Sequence, residues 1–426
     1  MFELIKYELR KIFRNKILWI MCLIFLAMIF RSMYSNNQMR GDNYSPDSST
    51  TVEEMRALDQ RSEFLTGSYN KDNYKDLYKQ YEYYWNQINN HSYTSTKQCT
   101  FDEYTIGYGP ISDVLDMNGE NCERLQDAIK AFQSIQLYHD IKRMFTFDTV
   151  DESGFSPAEY FVQNAIEGTM FHDALSLQSA TKLSRQLSEY YQKKTFYFEP
   201  NASAALAAFT GAMRDRTIHY ITFMILLGLA GIFAKEQQNH VKELALTMKK
   251  GRSKLVYAKL TAGLMYTIAV FTMLTGFTFL CYALTYDLSI QKVSMQFLFL
   301  MHTLYPINLL QYSLLYTGIL LAMVLATSLL VSLCSSLCKH NYSAFLLSIF
   351  TLYVPVILYS SFMYTDFTRF SLLNTVDTNQ LFPAVSGIEL GSFFLPAMPC
   401  VFIVYILVIL SSFLIIRQRE KKTPTY

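Results

Sequence analysis

Six stretches of this 426-residue chain contain no aspartate, glutamate, lysine or arginine, and this pattern constrains the fold more than any other feature. A helix needs roughly 20 apolar residues to cross the hydrocarbon core of a membrane. Only 17% of the residues are charged, whereas soluble domains average about 25%. The sequence therefore predicts an all-α membrane protein with six transmembrane helices, and it argues against an ordinary soluble enzyme. The charge-free stretches are 17–30, 217–234, 260–286, 293–338, 343–365 and 390–416.

The first stretch is short for a span, and a cleavable signal peptide is the alternative reading. The residues that follow, Arg31-Ser32-Met33-Tyr34, lack the small-residue cleavage pattern, and 16 residues precede the apolar run. We therefore expect a retained helix over 17–34. Residues 1–16 are expected to form an amphipathic helix that lies in the lipid headgroup layer. Its apolar face comprises Phe2, Ile5, Leu9, Ile12 and Phe13.

Lysine and arginine are distributed unequally between the loops of this predicted topology. The short loops and termini on one side carry 17 of them, and the short loops on the other side carry two. Because positive residues are retained in the cytoplasm, both termini are predicted to be cytoplasmic, including the basic tail 417–426. Residues 35–217 would then form an extracellular domain between the first and second spans of a multi-pass protein of the cell membrane.

The predicted extracellular domain has mainly helical periodicity. Apolar residues recur at three-to-four spacing over 125–141 and again over 183–190. The run Ser156-Pro157-Ala158-Glu159 is typical of a capped helix start. Residues 70–90 form a tyrosine-rich amphipathic pattern, whose aromatic side chains either pack a helical core, which we favour, or bind a peptide. Strands are expected only around 92–115.

The cysteines and histidines of this domain give little indication of a disulfide framework or a metal site. Cys99 and Cys122 are its only two cysteines, and a disulfide between them is possible but not required. His139 and His172 have no cysteine or carboxylate partner at a ligand spacing, so no metal site is predicted. The chain also lacks a zinc-protease motif, a nucleophile elbow and a phosphate-binding loop. No catalytic residue is therefore expected, and any energy for transport must come from a partner.

The second cytoplasmic segment, 235–259, has its own pattern. Val241, Leu244, Ala245 and Met248 share one face of a short helix, which Gly251 would end at the C′ position. A basic turn follows, and the third span opens at Lys259. Glu236 could pair with Arg252 or with Lys259. An ordinary positive-inside loop with a surface helix is the simpler interpretation.

Glu236 after the second span, a short helix, the Gly251-Arg252 turn and Lys259 at the third span together resemble the permease of type-2 ABC exporters. The resemblance implies a coupling helix that docks on a separate ATPase, and a transporter of two permeases and two ATPase subunits. ATP and Mg²⁺ would bind to the ATPase, with no cofactor in this chain. It also implies re-entrant helices in the outer segment 366–392. The large external domain departs from the simplest members and is found among permeases of Gram-positive bacteria.

On this resemblance, we expect a permease subunit that exports an antimicrobial peptide, a drug or an amphipathic lipid-like substrate through the five-helix region 218–416. Its expected partners are the ATPase dimer, a second identical or related permease and the lipid bilayer, and not nucleic acid. The alternative is a membrane receptor or sensor whose extracellular domain binds a peptide. The expected coupling residues are Glu236, Val241, Leu244, Met248, Gly251, Arg252 and Lys259.

Overall fold

The computed structural model describes most of the chain, and within that part the protein is predominantly helical. The described residues are 2–39, 55–56, 59–60, 62–90, 122–149, 156–167, 175–201, 203–238, 251–298, 303–360, 366–390 and 393–422. The helices are α1 (Phe2–Phe13), α2 (Lys16–Met39), α3 (Asp76–Asn90), α4 (Cys122–Phe145), α5 (Pro157–Glu167), α6 (Leu177–Lys193), α7 (Ala205–Ala212), α8 (Ile218–Leu229), α9 (Ala234–Gln238), α10 (Gly251–Thr285), α11 (Met295–Leu298), α12 (Leu309–Leu337), α13 (Asn341–Ser360), α14 (Asp366–Arg369), α15 (Thr378–Leu381) and α16 (Ala397–Lys422). The strands are β1 (Gly67–Tyr69), β2 (Phe196–Phe198), β3 (Gly387–Leu390) and β4 (Phe393–Pro396).

Among the described residues, six helices are long and apolar enough to cross a membrane, as the sequence predicts. They differ in how deeply they lie in the bundle. In an apolar window of 18 residues, 67% of the residues are buried in the second span and 56% in the fourth, whereas only 17% are buried in the fifth. The second and fourth spans therefore form the centre of the bundle. The six spans are Lys16–Met33, Ala205–Gln238, Lys254–Thr285, Leu309–Leu337, Asn341–Tyr359 and Ala397–Glu420.

The second span is longer than the sequence analysis expected. The helix begins at Ala205 and passes through a π-helical turn at Met213–Thr217 before it continues as α8. That turn carries Arg214, Asp215 and Arg216, and these charges made the apolar stretch look as if it began at 217. Arg214 is accommodated because its Nε donates to Asp215 at 2.7 Å and its Nη1 donates to Thr378 of α15 at 3.3 Å.

The third span also begins earlier than expected. Gly251 is the first residue of α10, so the basic turn predicted after it is helical. Residues 251–259 contain no proline and only the initial glycine, and nothing in them interrupts a helix. Helix α1 packs against α10, and its residues Glu8 and Ile12 are buried. One face of α1 is therefore covered by protein, and its position in the lipid headgroup layer stays a prediction.

Helices α3 to α6 form a domain between the first and second spans, with a core of its own. Buried aromatic and aliphatic side chains of all four helices contribute to this core, including Leu77, Ile141, Phe161 and Leu187. The capped start of α5 is confirmed, because Ser156 N donates to Glu159 Oε2 at 2.9 Å and Glu159 N donates to Ser156 Oγ at 3.1 Å. The tyrosine-rich helix begins at Asp76, later than expected.

Two short antiparallel pairs of strands complete the described fold. In the domain, Gly67–Tyr69 pairs with Phe196–Phe198 in the register Ser68 to Tyr197. These strands lie outside the segment 92–115 where strands were expected, and that segment is not among the described residues. The second pair joins β3 to β4 directly before α16. In the outer segment 366–392 the described residues form the short helices α14 and α15, a single 3₁₀ turn and the strand β3.

The domain is joined to the loops between the spans by packing and by backbone hydrogen bonds. Phe297 packs edge-on against Phe198, with ring centroids 5.3 Å apart, and Ala384 is part of the domain core. Ser294 N donates to Tyr197 O at 2.9 Å, and Tyr197 N donates to Ser294 Oγ at 2.8 Å. The loops on this side of the bundle therefore complete the core of the domain.

Candidate functional site

The break after α8 is held by side chains from two other spans. Helix α8 ends at Leu229 and α9 begins at Ala234, which frees backbone groups in the intervening turn. Ser335 Oγ of α12 accepts hydrogen bonds from Phe233 N at 3.0 Å and Ala234 N at 3.1 Å. Lys259 Nζ of α10 donates to Ile232 O at 2.7 Å. Because both N–H and carbonyl groups of the turn have side-chain partners, the turn has a defined geometry inside the protein.

Four charged residues surround this break, and we call them the charge cluster: Glu8, Lys11, Glu236 and Lys259. Glu236 lies at the centre, because its Oε2 is 2.6 Å from Lys259 Nζ and its Oε1 is 2.9 Å from Lys11 Nζ. Lys11 Nζ is also 3.8 Å from Glu8 Oε2. With two carboxylates and two ammonium groups, the cluster has no net charge. It joins three elements of the chain: α1, α9 and α10.

The members of the charge cluster are buried to different degrees. The side chains of Lys259 and Glu8 are 2% and 3% exposed, that of Glu236 is 13% exposed and that of Lys11 is 36% exposed. Moving charges out of water is costly, so a buried ion pair adds little net stability. Breaking such a pair leaves an uncompensated charge and costs about 3–5 kcal/mol. The cluster therefore acts mainly as a geometric constraint on the three elements.

Two groups of α1 have shifted pKa values. Burial raises the pKa of Glu8 more than the charges of Lys259 and Lys11 lower it, and the charge of Glu236 adds to the rise. Burial lowers the pKa of Lys11, but the hydrogen bond to Glu236 and the charges of Glu236 and Glu8 raise it by more, and the net shift is upward. Lys11 therefore remains protonated throughout the physiological range and attracts Glu236.

Further contacts bring the fifth and sixth spans to the same end of the bundle. A Cβ atom at Gly231 would lie 2.7 Å from Asn341 Oδ1, so a larger residue in the turn would require the Asn341 side chain of α13 to move. Arg419 of α16 donates through Nη2 to Leu337 O at 3.1 Å. The turn after α8, the start of α13 and the end of α12 consequently form one packed region around the charge cluster.

The structure brings together only part of the predicted coupling residues. Of the two bases considered for Glu236, Lys259 makes the ion pair, and Arg252 lies in the first turn of α10. Val241, Leu244, Met248 and Cys99 lie outside the described residues. Cys122 begins α4, and the possible disulfide falls outside what the structure describes. Five of the described cysteines form no disulfide, and they are Cys22, Cys281, Cys334, Cys338 and Cys400.

Three residues of this region were missed by the sequence analysis: Glu8, Lys11 and Ser335. Glu8 had a detectable signal, because it falls on the apolar face of α1 between Ile5 and Ile12. A carboxylate on an apolar face requires a buried partner. Ser335 had no signal, since serines are frequent in this apolar segment and only the fold places one beside the turn.

Comparison of the chain with models of protein families, with characterised proteins and with solved structures finds no match. Any function must therefore be argued from the residues and the geometry. In the part of the chain that the structure describes, no three His, Cys, Asp or Glu side chains gather as a metal site would require. The charge cluster links the chain segments on both sides of 239–250 to each other and to α1.

Proposed function

We propose that this protein is the permease subunit of an ATP-driven ABC exporter, with both termini in the cytoplasm and the helical domain outside the cell membrane. The observation that carries the proposal is the charge cluster at the ends of the 239–250 segment. Glu236 lies three residues before that segment and Lys259 lies nine residues after it, and their side chains are 2.6 Å apart. A force on the segment would therefore reach the second and third spans together.

The charge cluster joins the 239–250 segment rigidly to the second and third spans. If the spans were connected only by a flexible loop, movement of the segment would bend the loop and leave the bundle unchanged. The Glu236–Lys259 pair closes the loop at its base, and the bonds of Lys259 to Ile232 O and of Ser335 to Phe233 N fix the turn beyond it. The ion pair between Lys11 and Glu236 links α1 to the same contacts. The four contacts favour rigid movement of the two spans.

The proposed transporter requires other protein chains. A dimer of ATPase subunits would bind ATP and Mg²⁺ and contact the segment through Val241, Leu244 and Met248, with Gly251 and Arg252 at its end. A second permease, identical or related, would complete the translocation pathway within the bilayer. The proposed substrate is an antimicrobial peptide, a drug or an amphipathic lipid-like molecule, and the proposed source is a Gram-positive bacterium.

Purification of the tagged full-length chain from its native host in mild detergent tests this proposal. We expect a stoichiometric partner that contains a phosphate-binding loop and hydrolyses ATP, identified by mass spectrometry. A control purification of an unrelated tagged membrane protein should lack this partner. Recovery of the chain alone, in a form that still binds an external peptide, would contradict the proposal and favour the receptor or sensor instead.

A further inference from the structure

A groove runs between α5 and α6 on the surface of the helical domain. It encloses about 500 Å³, within the size range of ligand sites. Its apolar lining includes Ala158, Val162 and Ile166, which follow one another at four-residue spacing along α5. Thr181 and Ser184 of α6 form the opposite wall. The groove thus offers an apolar strip about two helical turns long.

One rim of the groove is acidic. Glu159, Gln163 and Glu167 follow one another at the same four-residue spacing beside the apolar row. The two carboxylates are eight residues apart, which corresponds to about 12 Å along the helix. Gln163 Nε2 donates to Glu167 Oε1 at 2.9 Å and orients the second carboxylate. The described lining contains these two acidic side chains and no basic one.

We infer that this groove binds a cationic amphipathic helical peptide. Helix-in-groove recognition places an apolar row in the groove and polar neighbours along its edge. A peptide with leucines at four-residue spacing and lysines eight residues apart has the same two repeats as α5, and its ammonium groups would meet Glu159 and Glu167. Binding rests on the groove alone, and only the further step of export rests on the proposed function.

The wall of the groove is connected to the last spanning helix. At the start of α6, Ser176 N donates to Glu389 Oε2 at 2.8 Å, and the hydroxyls of Ser176 and Ser179 both donate to Glu389 Oε1 at 2.5 Å. Glu389 lies in β3, whose partner β4 leads directly into α16. A peptide that shifts α6 would therefore act on the sixth span through this contact.

The test uses the full-length protein in neutral maltoside micelles at low salt. The probe is a fluorescein-labelled helical peptide of alanine, leucine and lysine, about four turns long, with the spacing given above, and binding is measured by fluorescence anisotropy. We expect saturable binding, which is lost when glutamate replaces lysine in the peptide. Failure of the lysine peptide to bind saturably would overturn the inference. Because no ATPase is present, this result is independent of the test of the proposed function.

Matched variants locate the site. Glu159→Gln with Glu167→Gln should weaken binding about five- to tenfold, since each exposed ion pair contributes modestly. The amide that Glu159→Gln introduces keeps a carbonyl oxygen that can accept from Ser156 N. The control removes the same charge elsewhere on the domain, by Glu63→Gln with Glu82→Gln, and should change affinity less than about twofold. Equal weakening by both pairs would overturn the inference, because it would indicate general attraction to an acidic surface.

A second variant tests the groove without changing a charged residue or the N-terminal cap of α5. Thr181 is exposed on the wall of the groove, so Thr181→Trp should fill the groove without disturbing the core. Binding should fall at least about tenfold, which corresponds to about 1.4 kcal/mol. Unchanged binding to this variant would contradict the inference even if the double glutamine variant folds poorly.

Discussion

Lys259 makes three different contacts inside the protein, and each depends on its charge. Its ammonium group donates to Ile232 O, pairs with Glu236 and lies 5.2 Å from the centre of the Phe233 ring. Lysine is almost never fully buried unless it is paired. The same side chain therefore satisfies a carbonyl group in the turn after α8 and neutralises Glu236, four residues further along the chain.

We predict that Lys259→Met destabilises the protein by about 3–5 kcal/mol, because Glu236 and the turn lose their buried partner. The matched control is Lys254→Met, which removes an exposed lysine from the same helix and should change stability by less than about 0.5 kcal/mol. Thermal unfolding followed by size-exclusion chromatography measures both. The double variant Lys259→Met with Glu236→Gln should recover part of the loss. Equal melting temperatures of Lys259→Met and Lys254→Met would contradict the role of Lys259 as a buried partner.

Part of this site could be predicted at the residue scale. A glutamate after one span and a lysine at the start of the next are visible in the sequence, and their pairing needs only that adjacent helices meet. The partners from α1 and α12 could not be predicted, because they are more than 70 residues away along the chain. Their proximity follows from the packing of the bundle and not from any local pattern.

The packing of α8 against α10 depends on a glycine. A Cβ atom at Gly228 would lie 2.4 Å from the ring of Tyr266, whose hydroxyl donates to Met224 O at 2.8 Å. The tyrosine ring is buried, and its hydroxyl bond holds it in place. Small residues let helix backbones approach closely in membranes. At this position the small residue makes room for a large ring from the neighbouring helix.

We predict that Gly228→Ala destabilises the protein by about 1–3 kcal/mol, the usual cost of overpacking. Gly276→Ala is the matched control, since it lies within α10 and a Cβ atom there would meet nothing within 4 Å. This control should be neutral or stabilising by up to about 1 kcal/mol. Differential scanning fluorimetry compares the two variants. A melting temperature for Gly228→Ala equal to or above that of Gly276→Ala would contradict the close packing.

At the element scale, the sequence predicted all six spans but not the full length of two of them. The search for charge-free stretches located each helix by its apolar centre. It failed where charges are tolerated inside a helix, at Arg214 in the π-helical turn and at Lys259 near the start of α10. Both charges have partners in the fold, and such partners cannot be identified from a local pattern of hydropathy.

At the scale of the whole molecule, two regions are connected at opposite ends of the spanning helices. The helical domain is tied to the loops 286–308 and 382–396 through contacts such as Phe297 to Phe198 and Glu389 to Ser176. The charge cluster joins the second and third spans to α1 at the other end. The proposed binding of a peptide at one end and the proposed docking of an ATPase at the other would therefore act on the same bundle.

The most direct test of the proposed permease is the amount of ATPase recovered with the tagged chain from native membranes. The variant Leu244→Asp with Met248→Asp places two charges on the predicted ATPase-binding face. The control variant Asn239→Asp with Leu246→Asp places two charges on the opposite face of the same predicted helix. We predict that the first loses at least about 90% of the ATPase, as a hot-spot loss above about 1.4 kcal/mol requires, while the control retains it. Equal ATPase recovery with the first variant and the unaltered chain, at equal membrane insertion, would contradict the proposal.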